Sequence, residues 1–361
     1  MNYYIHVPFC ASKCGYCVFY SVTDASAELR ERYFDKLFSQ LETQREKAGT
    51  VYIGGGTPTL FDAETLARFL DKILTSLPCG PETEISIEAN PETLTREKIA
   101  VLRKYVTRLS TGIQSFFPEV RELLGRKCGQ KQLEAALAGI AEAGFPHWNC
   151  DLIYAVPGRK KEDWAREFDF LSRYPVDHVS CYSLTPEEGA RLYGRLAPCG
   201  DAPAAEMEEV TRTKLAERGI GQYEVSNYAR PGSECRHNVN VWRGGLLRGF
   251  GPSASSFDGT DRTTEAASLT EWLAGAPPAT DRISRQARLD EIFAVNLRTV
   301  EGWTRELWEK VPHADLWQVR LEKAEAAANR FPGCFVIAPQ RIKLARKGLD
   351  FWDTIAEELL S

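Results

Sequence analysis

The stretch from His6 to Tyr20, His-Val-Pro-Phe-Cys-Ala-Ser-Lys-Cys-Gly-Tyr-Cys-Val-Phe-Tyr, decides how the rest of the chain is read. It carries Cys10, Cys14 and Cys17 directly after a short apolar run, Tyr3 to Val7, that reads as a strand. Pro8 keeps the strand from running on, and Gly15 lets backbone come close to whatever the loop holds. Three thiolates on one tight loop can hold three corners of a cubane iron–sulfur cluster. A full set would be four, so one iron is left for a non-protein ligand. An open iron beside bound S-adenosylmethionine is the arrangement that pushes one electron into a sulfonium and releases a carbon radical. Structural zinc is the competing reading, but it prefers four ligands, usually as two separated pairs, and no second pair stands nearby.

Outward from this loop, composition sets the bounds. The chain has 361 residues, 43% hydrophobic and 11% aromatic, enough for one large packed domain with one or two small ones. A net charge of -5 argues against general nucleic-acid binding, which wants a basic face. The start, Met-Asn-Tyr-Tyr-Ile-His, lacks the basic and apolar regions of a signal peptide, and no apolar stretch approaches the roughly 20 residues needed to span a bilayer. The expectation is a cytoplasmic protein whose ten cysteines are reduced thiols, three of them ligands. The other seven include Cys79, Cys128, Cys150, Cys181, Cys199 and Cys334, scattered singly as core or surface thiols, and Cys235.

Periodicity then gives the order of elements. An amphipathic helix is expected over Ala27 to Lys47, with strands at Thr50 to Ile53, Glu84 to Ala89, Arg108 to Gln114, Trp148 to Tyr154 and Val176 to Tyr182. Helices fall between them, one capped by Asp62, others over about Thr95 to Lys104, Gln130 to Ala143 and Glu162 to Ser172. Alternation of this kind means an α/β fold of parallel βαβ units, closed as a barrel or left open. In a barrel, chemistry gathers where strands end. The cysteines, the triplet Gly54-Gly55-Gly56, Glu88, Gln114 and Asp151 all sit at such ends.

That distribution resembles the radical S-adenosylmethionine superfamily, in the branch of oxygen-independent coproporphyrinogen III dehydrogenase, and within it the heme-chaperone subgroup. The likeness rests on Tyr4 to Cys10, Gly54 to Thr59 (Gly-Gly-Gly-Thr-Pro-Thr), Ile87 to Pro91 (Ile-Glu-Ala-Asn-Pro) and Leu109 to Phe116. Asp151 to Tyr154 and Tyr223 to Tyr228 extend it over most of the chain. It implies a partial (β/α)6 radical-SAM barrel over 1–185, an accessory segment over 186–280 packing on the core, and a C-terminal winged-helix-like helical domain over 281–361.

The resemblance also assigns roles. Cys10, Cys14 and Cys17 would hold the 4Fe-4S cluster. Gly55, Gly56 and Thr57 would pack against the methionine end of S-adenosylmethionine, where absent side chains let backbone reach the ligand. Glu88 and Gln114 match ligand contacts, Arg126 a carboxylate partner, Asp151 a ribose-side acceptor, Tyr4 a further contact, and Tyr16 a stacking partner on the adenine side. Two features set the chain apart from the porphyrinogen-oxidising enzymes. Phe19 stands where they carry a further cysteine, and only three residues precede Tyr4, where they have an extension closing over the substrate. Cys235-Arg-His-Asn-Val-Asn-Val-Trp242 resembles the subgroup's heme-associated motif, His-Asn, two variable residues, Tyr, Trp, with Val241 in place of the tyrosine. His237 is thus the expected axial ligand of heme, with Cys235 as a substitute, against the plain alternative of an imidazole bonded to loop backbone.

The expected function is binding heme and passing it to haem-requiring membrane proteins such as respiratory oxidases, with no nucleic-acid partner. A homodimer joined or gated through the cluster is compatible with it. The rival is a radical enzyme that cleaves S-adenosylmethionine and abstracts hydrogen from a porphyrin or another substrate.

Overall fold

The computed structural model describes residues 1–360. Six parallel strands run in chain order across the middle of one sheet: β1 (Asn2–Val7), β2 (Thr50–Gly55), β3 (Glu84–Ala89), β4 (Arg108–Gln114), β5 (His147–Tyr154) and β6 (His178–Ser183). Helices α1 (Ala27–Leu41), α2 (Ala63–Ser76), α3 (Arg96–Tyr105), α4 (Pro118–Leu123), α5 (Gln130–Ala143) and α6 (Lys161–Leu171) connect them. One side of the sheet meets these helices through Tyr3, Ile5, Val7, Val51 and Ile53, all buried in the main core. The other side alternates with it, as pleating requires, and carries Tyr4, His6, Tyr52, Glu88 and Asp151 into the curved interior. Ser26, Asp62 and Thr95 start their helices by accepting backbone N–H groups in the first turn. Helix α1 stops at Leu41 rather than reaching Lys47, because no apolar residue follows on its buried face before Ala48.

The barrel does not close: β1 and β6 are not paired with each other. Residues after β6 extend both edges instead. Helix α7 (Asp201–Ala216) packs on α6, and β7 (Gly221–Gln222) and β8 (Asn227–Ala229) continue the sheet antiparallel beyond β6. After helix α8 (Arg236–Trp242), strand β9 (Leu247–Phe250) pairs parallel with β1, and β10 (Ser255–Phe257), β11 (Arg262–Thr264) and β12 (Ala279–Asp281) follow antiparallel, with α9 (Leu269–Leu273) between the last two. Residues 186–280 are therefore woven into the sheet on either side.

The last stretch has its own core, centred on Phe293, Trp303, Trp308 and Trp317. Its elements are α10 (Arg285–Asn296), β13 (Trp303–Thr304), α11 (Arg305–Trp308), α12 (Trp317–Arg330), the hairpin β14 (Phe335–Ala338) and β15 (Arg341–Leu344), and helices α13 (Arg346–Asp350) and α14 (Trp352–Leu360). With β13 on the hairpin's edge, a small three-stranded antiparallel sheet stands beside these helices. Among the described residues no helix is long and apolar enough to cross a membrane.

Candidate cluster and cofactor site

The cysteine loop lies across the carboxyl end of the barrel, and backbone bonds fix it at several points. Gly15 N–H donates to Leu124 O at 2.8 Å, and its carbonyl accepts from Leu192 N–H at 2.8 Å. Both contacts need glycine, since a Cβ at 15 would stand 2.8 Å from the Leu192 side chain. The loop's return is sealed where Cys10 N–H meets Val22 O and where His6 Nε2 meets Tyr20 O at 3.0 Å. Tyr16 packs inward with Phe117, Val120, Leu124 and Ile153. It lies close enough to Arg126, Cys14, Cys17 and Asp151 to feel their charges, and burial pushes its phenol up.

The glycine triplet serves this loop first. Gly56 and Thr57 donate to Val7 O at 2.8 Å and Phe9 O at 2.7 Å, and a Cβ on Gly56 would fall 2.7 Å from those same oxygens. Gly55, at φ +100°, would drive a Cβ to within 2.5 Å of the His6 ring. The missing side chains thus let the turn after β2 lock against the start of the cysteine loop.

From there a continuous chain of hydrogen bonds links two of the thiols. Thr57 Oγ1 donates to Cys10 Sγ at 3.6 Å and accepts from Asn90 Nδ2 at 2.9 Å. Asn90 Oδ1 accepts from Arg126 Nη2 at 2.9 Å, and Arg126 Nη1 donates to Cys14 Sγ at 3.6 Å. Arg126 is held further by Gly112 O at 2.7 Å and Glu92 at 3.3 Å. Sequence reasoning did not single out Asn90; its place between a strand end and Pro91, inside a quoted motif, was the available signal.

Glu88, next to last in β3, accepts from Tyr52 OH at 2.8 Å and Gly55 N–H at 3.0 Å. Burial pushes its carboxyl up to about 7, against the pull of those two donors. Asp151 accepts from Asn149 Nδ2 at 2.7 Å and Ser110 Oγ at 3.2 Å, and burial raises it as well. Among the described residues, neither carboxylate has a Lys or Arg within ion-pair distance. Gln114 ends β4 in the left-handed region, at φ 68°, just past a break in register with β5. Tyr4 sits lower in the interior, its OH 3.2 Å from His6 Nδ1 and its ring 6.2 Å from that of Tyr52.

This donor set fits the cofactors. The three cysteines are free thiols. Two uncompensated carboxylates call for a cationic ligand, which a sulfonium with an ammonium group is. Arg126 Nε is buried without a partner, a donor left over for the ligand's carboxylate.

His237 is not among these residues. It lies on α8, under the opposite end of the barrel, buried, with Nδ1 2.8 Å from Thr50 Oγ1 and its ring 5.1 Å from Tyr52. Burial pushes it down to about 4, so it is neutral. The whole motif works as a plug there. Asn2, Thr50, Glu84 and Arg108, the first residues of β1 to β4, all bond to it or to one another. Glu84 accepts Arg236 N–H at 3.2 Å and His237 N–H at 3.0 Å, and Asn2 Oδ1 accepts from Asn240 Nδ2 at 3.1 Å. Arg108 pairs with Glu84 at 3.3 Å and donates to Ser233 O at 2.8 Å and Glu234 O at 3.0 Å. Cys235 is buried beside Glu84. Val241 and Trp242 face away, lining a cavity of about 100 Å³ with Leu247, Phe257 and Ile292.

Known proteins agree with this picture. The sequence pattern of the radical SAM superfamily matches residues 4–171. The chain is 35% identical to the heme chaperone HemW of Mycobacterium tuberculosis, over 99% of this chain and 94% of that protein. It is 32% identical to the heme chaperone HemW of Bacillus subtilis, over 83% of each. Coproporphyrinogen III oxidase HemN of Escherichia coli, described as a radical SAM enzyme, superposes with a TM-score of 0.82 at 20% identity, covering 100% of this chain and 90% of that one, a likeness of fold. With a relative of that identity matched along nearly its whole length, and with a cysteine loop, a glycine turn and a polar cradle meeting at one mouth, the chain belongs to the HemW family of the radical SAM superfamily.

Proposed function

We propose that this protein binds heme and delivers it to haem-requiring proteins, membrane-bound respiratory proteins among them, from the cytoplasm. The observation that carries the reading is the near-full-length identity to proteins named heme chaperones. Phe19 adds to it. The position where the porphyrinogen-oxidising enzymes have a cysteine is here an apolar side chain left 65% exposed, with no thiol to offer a substrate.

Cys10, Cys14 and Cys17 hold a 4Fe-4S cluster on this reading, and Glu88, Asp151, Arg126 and Gln114 hold S-adenosylmethionine beside it. When bound, the cluster supplies one-electron chemistry. The chain's own part is to keep the thiols in place through Thr57 and Arg126, to present two carboxylates to the cationic ligand, and to seal the barrel's far end. Retention of this whole cradle favours a second reading, a radical enzyme acting on a porphyrin. Cluster reconstitution without oxygen, followed by hemin, coproporphyrinogen III and S-adenosylmethionine, separates the two. Stable hemin uptake without protoporphyrinogen formation is expected. Product formation that stops when S-adenosylmethionine is left out would overturn carriage in favour of catalysis.

Glu88 gives the ligand site a pH dependence. Its carboxyl ionises near 7, so it is mostly neutral at pH 6 and mostly charged at pH 8. Between its ordinary 4.5 and about 7 the folded state holds the proton more tightly than the unfolded chain, so the ligand-free protein loses stability as pH rises through that window. A cationic ligand reverses the preference. S-adenosylmethionine should bind roughly tenfold more tightly at pH 8 than at pH 6, following the ionised fraction. Glu88→Gln should flatten the profile at the weak end. Calorimetric titration of the reconstituted protein across that range checks it, and a flat wild-type profile would refute the assignment.

A further inference from the structure

Arg126 has only N–H groups to offer, so the atom of Asn90 that meets its Nη2 at 2.9 Å is the amide oxygen. That fixes the other end of the amide. Asn90 Nδ2 lies 2.9 Å from Thr57 Oγ1 and donates to it. Thr57 Oγ1 is then an acceptor on one side, and its own hydrogen is left for another partner. Cys10 Sγ takes that place at 3.6 Å. Arg126 Nη1 meanwhile donates to Cys14 Sγ at 3.6 Å. One amide therefore orients a donor toward each of two sulfurs of the cysteine loop.

Thr57 and Arg126 are buried, so little water competes for these bonds. The amide lies against Gly112, where a Cβ would stand 3.2 Å from its oxygen. The backbone of Asn90 is tied down separately, since its carbonyl accepts from Thr93 N–H at 2.9 Å and Thr93 Oγ1 at 2.8 Å. The side chain can thus be changed with the turn left standing.

Hydrogen bonds to the sulfurs help to set the potential of an iron–sulfur cluster. An added electron makes the thiolate sulfurs more negative, and a donor holds a more negative acceptor more strongly. Donors at Cys10 and Cys14 therefore favour the reduced state and raise the potential.

We propose that Asn90 is a positioning residue that raises the reduction potential of the cluster, by turning the Thr57 hydroxyl toward Cys10 and holding Arg126 at Cys14. The inference rests on the cluster reading and adds how this chain poises it. Aspartate in the same place would undo the first contact. Both of its oxygens accept, so the Thr57 hydrogen would turn to the carboxylate and leave the sulfur.

The test is a redox titration of the full-length protein reconstituted without oxygen. Dithionite is the electron donor, and the reduced cluster is counted by electron paramagnetic resonance. Asn90→Asp should shift the reduction equilibrium at least tenfold toward the oxidised form, about 59 mV for one electron, with iron and sulfide content kept. Thr57→Val should lower the potential too, and Thr57→Ser, which keeps the hydroxyl, should match the wild type. Because Asn90 acts on Cys10 through Thr57, adding Thr57→Val to Asn90→Asp should lower the potential no further. A wild-type potential in Asn90→Asp, or a double variant lower by the sum of the single drops, would overturn the inference. If Asn90→Asp loads no cluster, Thr57→Val against Thr57→Ser decides, and equal potentials in those two overturn it. If the wild type takes up no iron and sulfide, the cluster reading and this inference fall together, whereas a loaded cluster indifferent to Asn90 removes this inference alone.

Discussion

Replacing any one of Cys10, Cys14 or Cys17 by alanine should abolish most of the visible iron–sulfur absorption, while Cys79→Ala and Cys334→Ala should leave it intact. The reason is geometric as well as chemical. A cubane with three protein thiolates has no spare ligand, so losing one leaves two irons without protein support. The loop offers no substitute, because the residues bonded to its sulfurs, Thr57 and Arg126, are donors and cannot take over as thiolates. Cys79 and Cys334 belong to other parts of the fold, one packed against the main core and one inside the C-terminal core, and neither appears in the cradle. The check is iron and sulfide content with the absorption spectrum after anaerobic reconstitution. Full content in a variant at 10, 14 or 17 would refute the ligand set.

The second large effect is expected at the other end of the barrel. Glu84 and Arg108 are 5% and 2% exposed and face each other under the strands, so truncating either leaves a buried charge without its partner. Such a loss costs about 3–5 kcal/mol. Glu84→Ala should reach that range, because it also strips the acceptor from the first N–H groups of α8. The paired change Glu84→Leu with Arg108→Met should recover part of the loss by replacing both charges with apolar volume. Urea unfolding measures all three. Single losses below about 1 kcal/mol would mean that α8 is not the closure described here.

The core strands were legible because their apolar residues alternate or run continuously, and because turn glycines and capping residues punctuate them. The cysteine loop was legible from spacing alone. The short strands after Ser183 were not. Strands as short as Gly221–Gln222 and Asn227–Ala229 have no room to show a period, and they exist because β6 presents an edge for them to pair with. Nor could spacing show that the glycine triplet braces the cysteine loop, which depends on the positions of Val7 and Phe9 opposite it. The stretch Cys235–Trp242 shows the limit most plainly. Its resemblance to a heme-associated motif implies a ligand site, yet Thr50 and Glu84 turn it into a plug, and no local pattern ties residue 237 to residue 50. Val241 and Trp242 point away from the imidazole, so one short motif serves two separate faces.

The plug also has a consequence for how the chain is made. Strands β1 to β4 and the whole cysteine loop leave the ribosome more than a hundred residues before Ser233 to Asn240 do. Until then the bottom of the barrel is open, and Glu84 and Arg108 face water. Contacts between residues so distant in sequence form late and slowly. During synthesis the nascent chain therefore has its cysteines exposed on a half-built scaffold, and cluster loading before α8 docks would compete with release of an unclosed barrel to proteases and chaperones.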